Sequence, residues 1–339
     1  MSPFSEKVLF SLFLAKDKLG RTFLLANLPK KLNINFALSC LCGKNLALVL
    51  FVCISLFAAC KNVNTQPQNE ADLREITDDL GRKVKVPKKI ERAVSLAPNL
   101  TENIFAVGAG NKLVGVTTFC NFPEEAKNIQ KIGDTMNPNM ETIIALKPQI
   151  VFVSTASQIE TFTKTLEAQN VAVFVTNPTD LNGVLRNLEQ LGEIFGTEAQ
   201  AEKLINDLRN RVLAVEAKVK GKTPTKVFVQ ISKEPLFTIG KDSFLTEIIN
   251  RAGGISVTKD VATAYPKLSK ETALALNPDA IILSESPDNL EPNDVFKNSN
   301  AVKNAKVFKI NADLLSRPSP RIVDALEQIA KNLHQSEAK

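Results

Sequence analysis

Apolar and polar positions follow two alternating periods along most of this chain. Short runs that are apolar almost throughout predict buried strands, namely ERAVSLAP, KLVGVT, QIVFVS, VAVFVT, KVFVQI, AIIL and VFKI. Between them, apolar residues recur every three or four positions, which is typical of amphipathic helices. Ahead of them, REITDDLGRKVKVP predicts a hairpin that turns at Asp79, Leu80 and Gly81. Alternating helices and nearly apolar strands predict an α/β fold with parallel sheets covered on both faces.

One helix in the middle of the chain is unusually long. Thr197 with Gln200 forms the sequence pattern of a capping box, and an apolar stripe then runs from Glu198 to about Val219. A helix of that length spans roughly 33 Å at 1.5 Å per residue. Strand and helix alternation precedes it and resumes after it. The pattern therefore predicts two α/β lobes joined by one long helix.

Two shorter helices carry start signals of their own. Asn99, followed three residues later by Glu102, predicts a capping pair for the helix after the first apolar strand. Ser319 and Pro320 predict the cap and the first residue of the last helix. Both interpretations assign these polar side chains to local helix capping.

A thirteen-residue phrase occurs twice. The first copy is ETIIALKPQIVFV, which begins at Glu141, and the second is ETALALNPDAIIL, which begins at Glu271. Each copy runs from Glu-Thr through a helical turn to a proline and then into a strand. Recurrence at so long a spacing favours two similar lobes over a short-period solenoid. The alternative is a chance similarity between two common helix-proline-strand units.

The front of the chain reads as an export leader. Fourteen apolar or small residues, LALVLFVCISLFAA, end at Ala59, with Lys44 before them and Cys60 directly after. The run is shorter than the roughly 20 residues of a membrane-spanning helix and has the features of a signal sequence. The small residues before Cys60 indicate a lipobox, so we expect Cys60 to be diacylated. An ordinary signal peptide or an N-terminal anchor is the alternative. The long segment before Lys44 indicates that the start at Met1 is misassigned, and a non-ATG start near Leu41 would give a compact leader.

Processing at Cys60 changes the charge balance. The chain has 42 Lys and Arg against 36 Asp and Glu, and the segment before Cys60 holds seven and two of these. The mature chain would keep 35 basic and 34 acidic residues, a net charge of +1 in place of +6. A nucleic-acid-binding surface is therefore not implied. Cys120 would be the single free thiol, so no internal disulfide framework is expected, and Cys120 is either a packing residue or a cleft contact.

The resulting domain organisation has five segments. They are a leader over residues 1–59, a lipidated cysteine and flexible tether over 60–73, an N-terminal lobe over 74–180, connecting helices over 181–220 and a C-terminal lobe over 221–339.

Enzyme motifs are scarce. The single histidine, His334, lies near the C-terminus, which leaves a Ser-His-Asp or Cys-His arrangement without a base, and the sequence contains no CxxC metal motif. GAGNKLVG lacks the third glycine of a dinucleotide fingerprint. The sequence therefore predicts a binding protein without a cofactor or metal of its own; an exported enzyme is the less favoured alternative.

Candidate ligand residues lie in loops at the ends of predicted strands. With no Trp and one Tyr in the chain, Phe119, Phe237 and Tyr265 are the aromatic residues of interest, and core packing is the alternative for each. Asp313 and Arg317 lie in the loop before the last helix, where they could bond a polar ligand edge or form a solvated pair. A cleft between two lobes is a common ligand site, and open α/β sheets bind at such loops.

Five ordered segments together resemble a known family. RAVSLAPNLTENIFAVGAGNKLVGVTTFCNFPEEA, NPNMETIIALKPQIVFVS, PLFTIGKDSFLTEIINRAGG, YPKLSKETALALNPDAIIL and SRPSPRIVDAL resemble the periplasmic binding proteins of cobalamin and iron-siderophore ABC importers, most of all the cobalamin-binding members. The resemblance covers about residues 74 to 335. It implies two Rossmann-like lobes on a rigid backbone helix, a monomer that delivers a small molecule to a permease and its ATPase, and only small lobe motion.

The resemblance also assigns roles to individual positions. It implies that Glu141 and Glu271, one per lobe, dock on arginines of the permease, and that the aromatic and polar candidates above contact the ligand. Thr135 and Tyr265 stand where the family would place tryptophans, and Ser316 where it would place a glutamate. A corrinoid is the ligand that the resemblance implies, and because of these departures a related tetrapyrrole such as heme or a ferric siderophore is the alternative. A third possibility is a retained lipoprotein with a structural or sensing role and no permease.

Overall fold

The computed structural model describes residues 72–155 and 159–334, without the side chains of 159–162, and two short segments near the N-terminus. Those two segments pair antiparallel as β1 (Ala15–Lys16) and β2 (Thr22–Phe23) in a unit spanning Met1–Pro67. The second unit, Gln68–Lys339, contains everything that follows. The apolar run before Cys60, Cys60 itself and nearly all of the predicted tether lie outside the described residues. None of the described helices has the length and apolarity of a membrane span.

The N-terminal lobe is a four-stranded parallel sheet with an antiparallel hairpin beside it. The sheet order is β6-β5-β7-β8. Because alternate side chains of each strand point to opposite faces, two separate apolar clusters cover the sheet, one on each side. The elements are β3 (Leu73–Thr77) and β4 (Lys83–Pro87) of the hairpin, β5 (Ala93–Ser95), α1 (Pro98–Ala106), β6 (Leu113–Val116), α2 (Met140–Ala145), β7 (Ile150–Ser154), α3 (Ile159–Glu167) and β8 (Ala172–Thr176).

Two helices connect the lobes. The first, α4 (Leu181–Phe195), ends at Gly196, whose φ of 70° is the left-handed conformation that glycine adopts readily. The second, α5 (Glu198–Val219), has 22 residues and buries an apolar stripe against α4. The long connecting helix predicted from the apolar stripe is confirmed, with the predicted bounds.

The C-terminal lobe repeats the α/β pattern. Its sheet follows the order β10-β9-β12-β13, with β11 paired to the other end of β9, and every pairing except that of β10 is parallel. The last helix packs back on α5. The elements are β9 (Thr225–Ser232), β10 (Phe237–Thr238), α6 (Phe244–Arg251), β11 (Gly254–Ser256), α7 (Lys270–Leu276), β12 (Ala280–Glu285), α8 (Asn300–Lys303), β13 (Val307–Asn311), α9 (Ala312–Ser316) and α10 (Ile322–His334).

The repeated phrase forms the same supersecondary unit in both lobes. In one copy α2 leads to β7, and in the other α7 leads to β12, each an internal strand of its sheet. A residue in the left-handed region follows each helix: Lys147 with φ 47° comes one residue after the C-cap of α2, and Asn277 with φ 37° is the C-cap of α7. Pro148 and Pro278 then prevent the helix from continuing. The prediction of two similar lobes is confirmed at this level.

The capping predictions for three helices are wrong. Helix α1 starts at Pro98, and its N-cap residue Ala97 has no polar side chain to form a cap bond; Glu102 bonds elsewhere. Helix α5 starts at the predicted residue, but Thr197 makes no side-chain cap bond. Helix α10 starts at Ile322, later than Ser319 and Pro320 predict, and Ser319 is buried. Glu102 and Ser319 instead bond to each other across the lobe boundary, so a tertiary contact replaces the predicted local ones.

Candidate functional site

The two lobes meet where the loop after β6 and helix α1 face the segment after β13. On the C-terminal side, Asn311 caps α9 by accepting a bond from the Asp313 amide at 2.8 Å. Asp313 lies in the first turn of α9 and Arg317 directly follows its last residue, and their side chains pair at 2.7 Å between Oδ1 and Nη2. The chain then turns through Pro318 and Ser319 into α10. This segment is the polar side of the candidate cleft.

Arg317 is buried and bonded on both sides of the lobe boundary. Its Nη1 donates to Oε1 of Glu102 at 2.8 Å and to Oδ1 of Asn121 at 2.7 Å. Asn121 in turn donates from Nδ2 to Oδ2 of Asp313 at 3.0 Å. The Arg317 side chain is 9% exposed, whereas that of Asp313 is 34% exposed. The carboxylate of the predicted pair is therefore more accessible to a ligand than the guanidinium.

Glu102 is the most buried charged group of this network. Its side chain is 2% exposed and accepts four hydrogen bonds from the C-terminal lobe. Besides Arg317, the donors are Ser319 Oγ at 2.6 Å and the guanidinium of Arg321, at 3.0 Å from Nε and 2.5 Å from Nη2. Burial is the largest single influence on the pKa of Arg321 and lowers it, but the bonds to Glu102 together with the charges of Glu102, Asp313 and Asp324 raise that pKa on balance. A buried carboxylate needs such partners to offset its lost hydration.

The aromatic candidates occupy both sides of the same region. Phe119 is 61% exposed, and its backbone carbonyl lies 3.5 Å from Nη2 of Arg317. Tyr265 is 50% exposed and lines a cavity of about 320 Å³ with Leu315 and Ser316. Large apolar surfaces left in contact with water near polar groups are typical of ligand sites. The structure therefore brings Phe119, Tyr265, Asp313 and Arg317 to one region.

Phe237 joins this region through backbone pairing. It lies in β10, where Phe237 bridges Lys267 and the Thr238 amide donates to the Pro266 carbonyl at 3.1 Å. The segment 264–268 that carries Tyr265 therefore runs antiparallel to β10. The Phe237 side chain is half-buried.

The loop at Thr135, where the resemblance led us to expect an aromatic residue, presents a methionine instead. The Asp134 carboxylate accepts bonds from the amides of Asn137 at 2.6 Å and Met136 at 2.8 Å, and these bonds hold the pKa of Asp134 below its usual value. Thr135 is half-buried, while Met136 is 48% exposed. Since Thr118 donates to the Gly133 carbonyl, this loop lies beside the one that carries Phe119.

Glu141 and Glu271 occupy equivalent places on the two lobes. Both are exposed in the first turn of a short helix, two residues after a side-chain cap. Asn139 caps α2 and Ser269 caps α7, each by accepting a bond from the threonine amide that follows the glutamate. A bond from its own backbone amide, followed by one with Ser269, lowers the pKa of Glu271. The helix N-terminus and these bonds favour the ionised form of Glu271.

A family model described as periplasmic binding protein matches residues 94–314. That match covers both lobes and the connecting helices. The chain belongs to the periplasmic binding protein family. This is a family of substrate-binding proteins for transport, not a family of enzymes.

Individual relatives of this binding protein agree with that assignment. It is 31% identical to an uncharacterized ABC transporter substrate-binding lipoprotein, YvrC, of Bacillus subtilis over 84% of this chain and 95% of the relative. The crystal structure of the periplasmic vitamin B12 binding protein BtuF of Vibrio cholerae superposes with a TM-score of 0.66 and 27% identity, covering 75% of this chain and 100% of that one. A periplasmic heme binding protein from Pseudomonas aeruginosa gives a TM-score of 0.65 and 25% identity, with coverages of 73% and 94%. The predicted two-lobed α/β fold with a helical backbone is confirmed.

Neither thiol nor metal chemistry stands out in the described part of this binding protein. Cys120 is 1% exposed, between the hydroxyls of Thr101 and Thr117 at 3.1 Å each, which favours the packing interpretation. Among the described residues, no three His, Cys, Asp or Glu side chains are grouped so as to hold a metal ion.

Sequence reasoning missed three polar residues of the lobe boundary. Glu102 was assigned to helix capping and Ser319 to another cap, while Asn121 received no role. One signal was present in the sequence. The two arginines of SRPSPR, Arg317 and Arg321, are four residues apart with two prolines between them, and they need an acidic partner if the segment is buried.

Proposed function

We propose that this chain is the lipid-anchored substrate-binding protein of an ABC importer, which binds a corrinoid in the cleft between its lobes and delivers it to a permease and its ATPase. The names of its relatives support the importer assignment. The corrinoid assignment is supported by the chemistry of the cleft, described next.

The observation that carries the corrinoid proposal is the charge balance around Arg317. Two arginines, Arg317 and Arg321, face two carboxylates, Glu102 and Asp313, so the network is neutral as a whole. The guanidinium of Arg317 is occupied by protein acceptors, and the Asp313 carboxylate is the accessible group. A ligand edge rich in neutral N–H donors fits that surface better than an anionic edge, because an anion would face a carboxylate. Corrinoids carry neutral amides around an apolar macrocycle.

Exposed apolar groups supply the remaining contacts. Phe119 and Met136 come from the N-terminal lobe and Tyr265 from the C-terminal lobe. Flat ring faces stacked on such side chains remove apolar area from water, and Tyr265 can also bond through its hydroxyl. We assign Phe237, in the strand beside Tyr265, to the same ligand site.

Titration of the purified protein with cyanocobalamin, dicyanocobinamide, heme and a ferric siderophore tests the proposal. We expect both corrinoids to bind, since cobinamide keeps the macrocycle and its amides but lacks the nucleotide. Tight siderophore or heme binding without corrinoid binding would refute the corrinoid assignment and keep the importer assignment. Recovery of chemically unchanged ligand after incubation supports a carrier, whereas a covalently altered ligand would favour an enzyme.

Heme is the second candidate because of one residue. Tyr265 is the single tyrosine and its side chain is half exposed in the cleft, and a tyrosine oxygen is a known axial ligand of heme iron. Tyr265→Phe separates the two ligands, since it removes the oxygen and keeps the ring. Heme affinity should fall in this variant if iron ligation holds the ligand, while corrinoid affinity should stay close to that of the wild type.

Glu141 and Glu271 are proposed as the docking groups for the permease. Their support is the repeated phrase, the equivalent capping geometry in the two lobes, and the exposure of both carboxylates. An exported monomer anchored through Cys60, with its lobes facing the periplasm or the cell exterior, would present this pair to a membrane partner. The lipoprotein name of the Bacillus subtilis relative supports the anchor.

A further inference from the structure

Glu102 accepts four hydrogen bonds across the lobe boundary, and neither helix capping nor direct ligand contact explains them. It lies in α1 of the N-terminal lobe, is almost fully buried, and bonds only to donors that lie between β13 and α10. The next residue also bonds across the lobe boundary, since Asn103 Nδ2 donates to the Pro318 carbonyl at 3.4 Å. Removing one partner from a buried ion pair leaves an uncompensated charge. Glu102 thus joins one lobe to the other.

The two arginines bound to Glu102 extend in different directions. Arg317 reaches the cleft, where its other contacts are Asn121, Asp313 and the Phe119 carbonyl. Arg321 instead lies over the ring of Phe122, with 4.0 Å between the guanidinium carbon and the ring centroid. The Glu102 carboxylate therefore holds two arms, which are the side chains of Arg317 and Arg321. The Arg317 arm touches the predicted ligand residues, and the Arg321 arm packs against Phe122 in the loop after β6.

The planarity of the guanidinium transmits orientation along the first arm. Nη1 of Arg317 is fixed by Glu102 and Asn121, so the direction of Nη2 toward Asp313 is fixed as well. Asp313 also bonds to Asn121, and it is the member of the set with accessible carboxylate surface. Without Glu102, Arg317 would lose its deepest anchor and Asp313 its fixed partner.

We propose that Glu102 is a positioning residue, which holds Arg317 and through it orients Asp313 toward the ligand, so that ligand affinity depends on the contact between the lobes. The part of this inference that concerns affinity rests on the proposed function. The part that concerns the lobes stands on the hydrogen bonds alone.

Glu102→Gln and Arg321→Met form the test pair, because both disrupt the same buried ion cluster but only the first disturbs the Arg317 arm. We expect both variants to lower the midpoint of urea unfolding. Glu102→Gln should weaken cyanocobalamin binding about tenfold or more, as the loss of one partner of a buried charge pair does at interfaces. Arg321→Met should weaken cyanocobalamin binding much less than Glu102→Gln does, because the bonds that hold Arg317 and Asp313 remain. Equal losses of affinity in the two variants, or none in Glu102→Gln, would overturn the proposal.

Amide hydrogen exchange of the ligand-free proteins gives a readout that does not depend on the ligand. Faster exchange in both 98–106 and 312–321 is expected for Glu102→Gln, because these segments lie on opposite lobes and share the carboxylate. Unchanged exchange would refute the inter-lobe role of Glu102, whether or not the wild type binds cyanocobalamin. Failure of the wild type to bind cyanocobalamin would by itself refute only the corrinoid assignment.

A conservative variant covers the case in which Glu102→Gln fails to fold. Glu102→Asp keeps the charge that neutralises the arginines but shortens the side chain by one methylene, so it cannot reach both arms at once. We expect the same direction of change in affinity and exchange. Wild-type behaviour of Glu102→Asp in both measurements would show that the position of this carboxylate does not control the cleft.

Discussion

Phe119→Ala tests whether the exposed aromatic of the N-terminal lobe contacts the ligand. Full burial of a phenylalanine side chain is worth about 1.5–3 kcal/mol. Because 61% of Phe119 is exposed, a ligand that covers it recovers about 1–2 kcal/mol of that burial. The expected loss of cyanocobalamin affinity is therefore about 5- to 30-fold. The free energy of unfolding should fall by only about 1 kcal/mol or less, since the buried part of the ring is small.

Phe122→Ala is the matched control, three residues further along the same loop. Phe122 is 43% exposed and carries Arg321 on its ring, so its truncation removes internal packing and a cation–π contact. We expect a loss of about 2 kcal/mol in stability, measured by urea unfolding, with the ligand affinity unchanged. Affinity should be measured by calorimetric titration of all three proteins. Wild-type affinity in Phe119→Ala, or equal losses in both variants, would refute the assignment of Phe119 to the ligand face.

Three further predictions concern docking, anchoring and pH. Glu141→Ala combined with Glu271→Ala should abolish uptake in cells while leaving ligand affinity intact, because both side chains are exposed; uptake near the wild-type level would contradict docking. Cys60→Ala should move the protein from the detergent phase to the aqueous phase on phase separation, and retention with detergent would contradict lipidation. Arg211→Met removes bonds to Glu327 at 2.8–2.9 Å and one to Asp324 at 2.5 Å, and should cost at most about 1 kcal/mol at pH 7, because the three side chains are 31%, 41% and 40% exposed. The hydrogen bond from Arg211 lowers the pKa of Glu327, so its contribution is present above 4.5, the ordinary value, and is lost as pH falls through the folded value. Urea midpoints of wild type and variant should therefore converge in acid.

Much of the architecture could be predicted because it depends on local pattern. Strands buried on both faces are apolar throughout, as in β7 and β12, and the stripe of α5 marks its buried side. Pro148 and Pro278 disfavour the helical conformation at the residue before them, which marks where α2 and α7 stop. Periodicity and proline act within a few residues, so they can be read from the sequence.

The polar network of the cleft could not be predicted in the same way. Glu102 and Arg317 are 215 residues apart, and the local pattern Asn99-x-x-Glu102 is what a capping pair would show. Glu102 takes part in the tertiary contact and not in local capping because it is buried against two arginines. Their charges need a carboxylate partner, and a capping bond would not supply it. Long-range pairing of charges leaves no periodic signal.

The duplicated unit is alike in the two lobes, whereas the two sides of the cleft differ. Glu141 and Glu271 are both exposed in the first turn of a capped helix, which suits a partner that meets both lobes in the same way. The cleft is unequal, with Phe119 and Met136 on one side and Asp313 and Arg317 on the other, as an asymmetric ligand requires. Since the two glutamates proposed for docking lie on different lobes, their separation depends on the lobe orientation. The packing of α5 and the bonds that converge on Glu102 hold that orientation, so under the proposed function the same carboxylate supports ligand binding and the presentation of the docking pair.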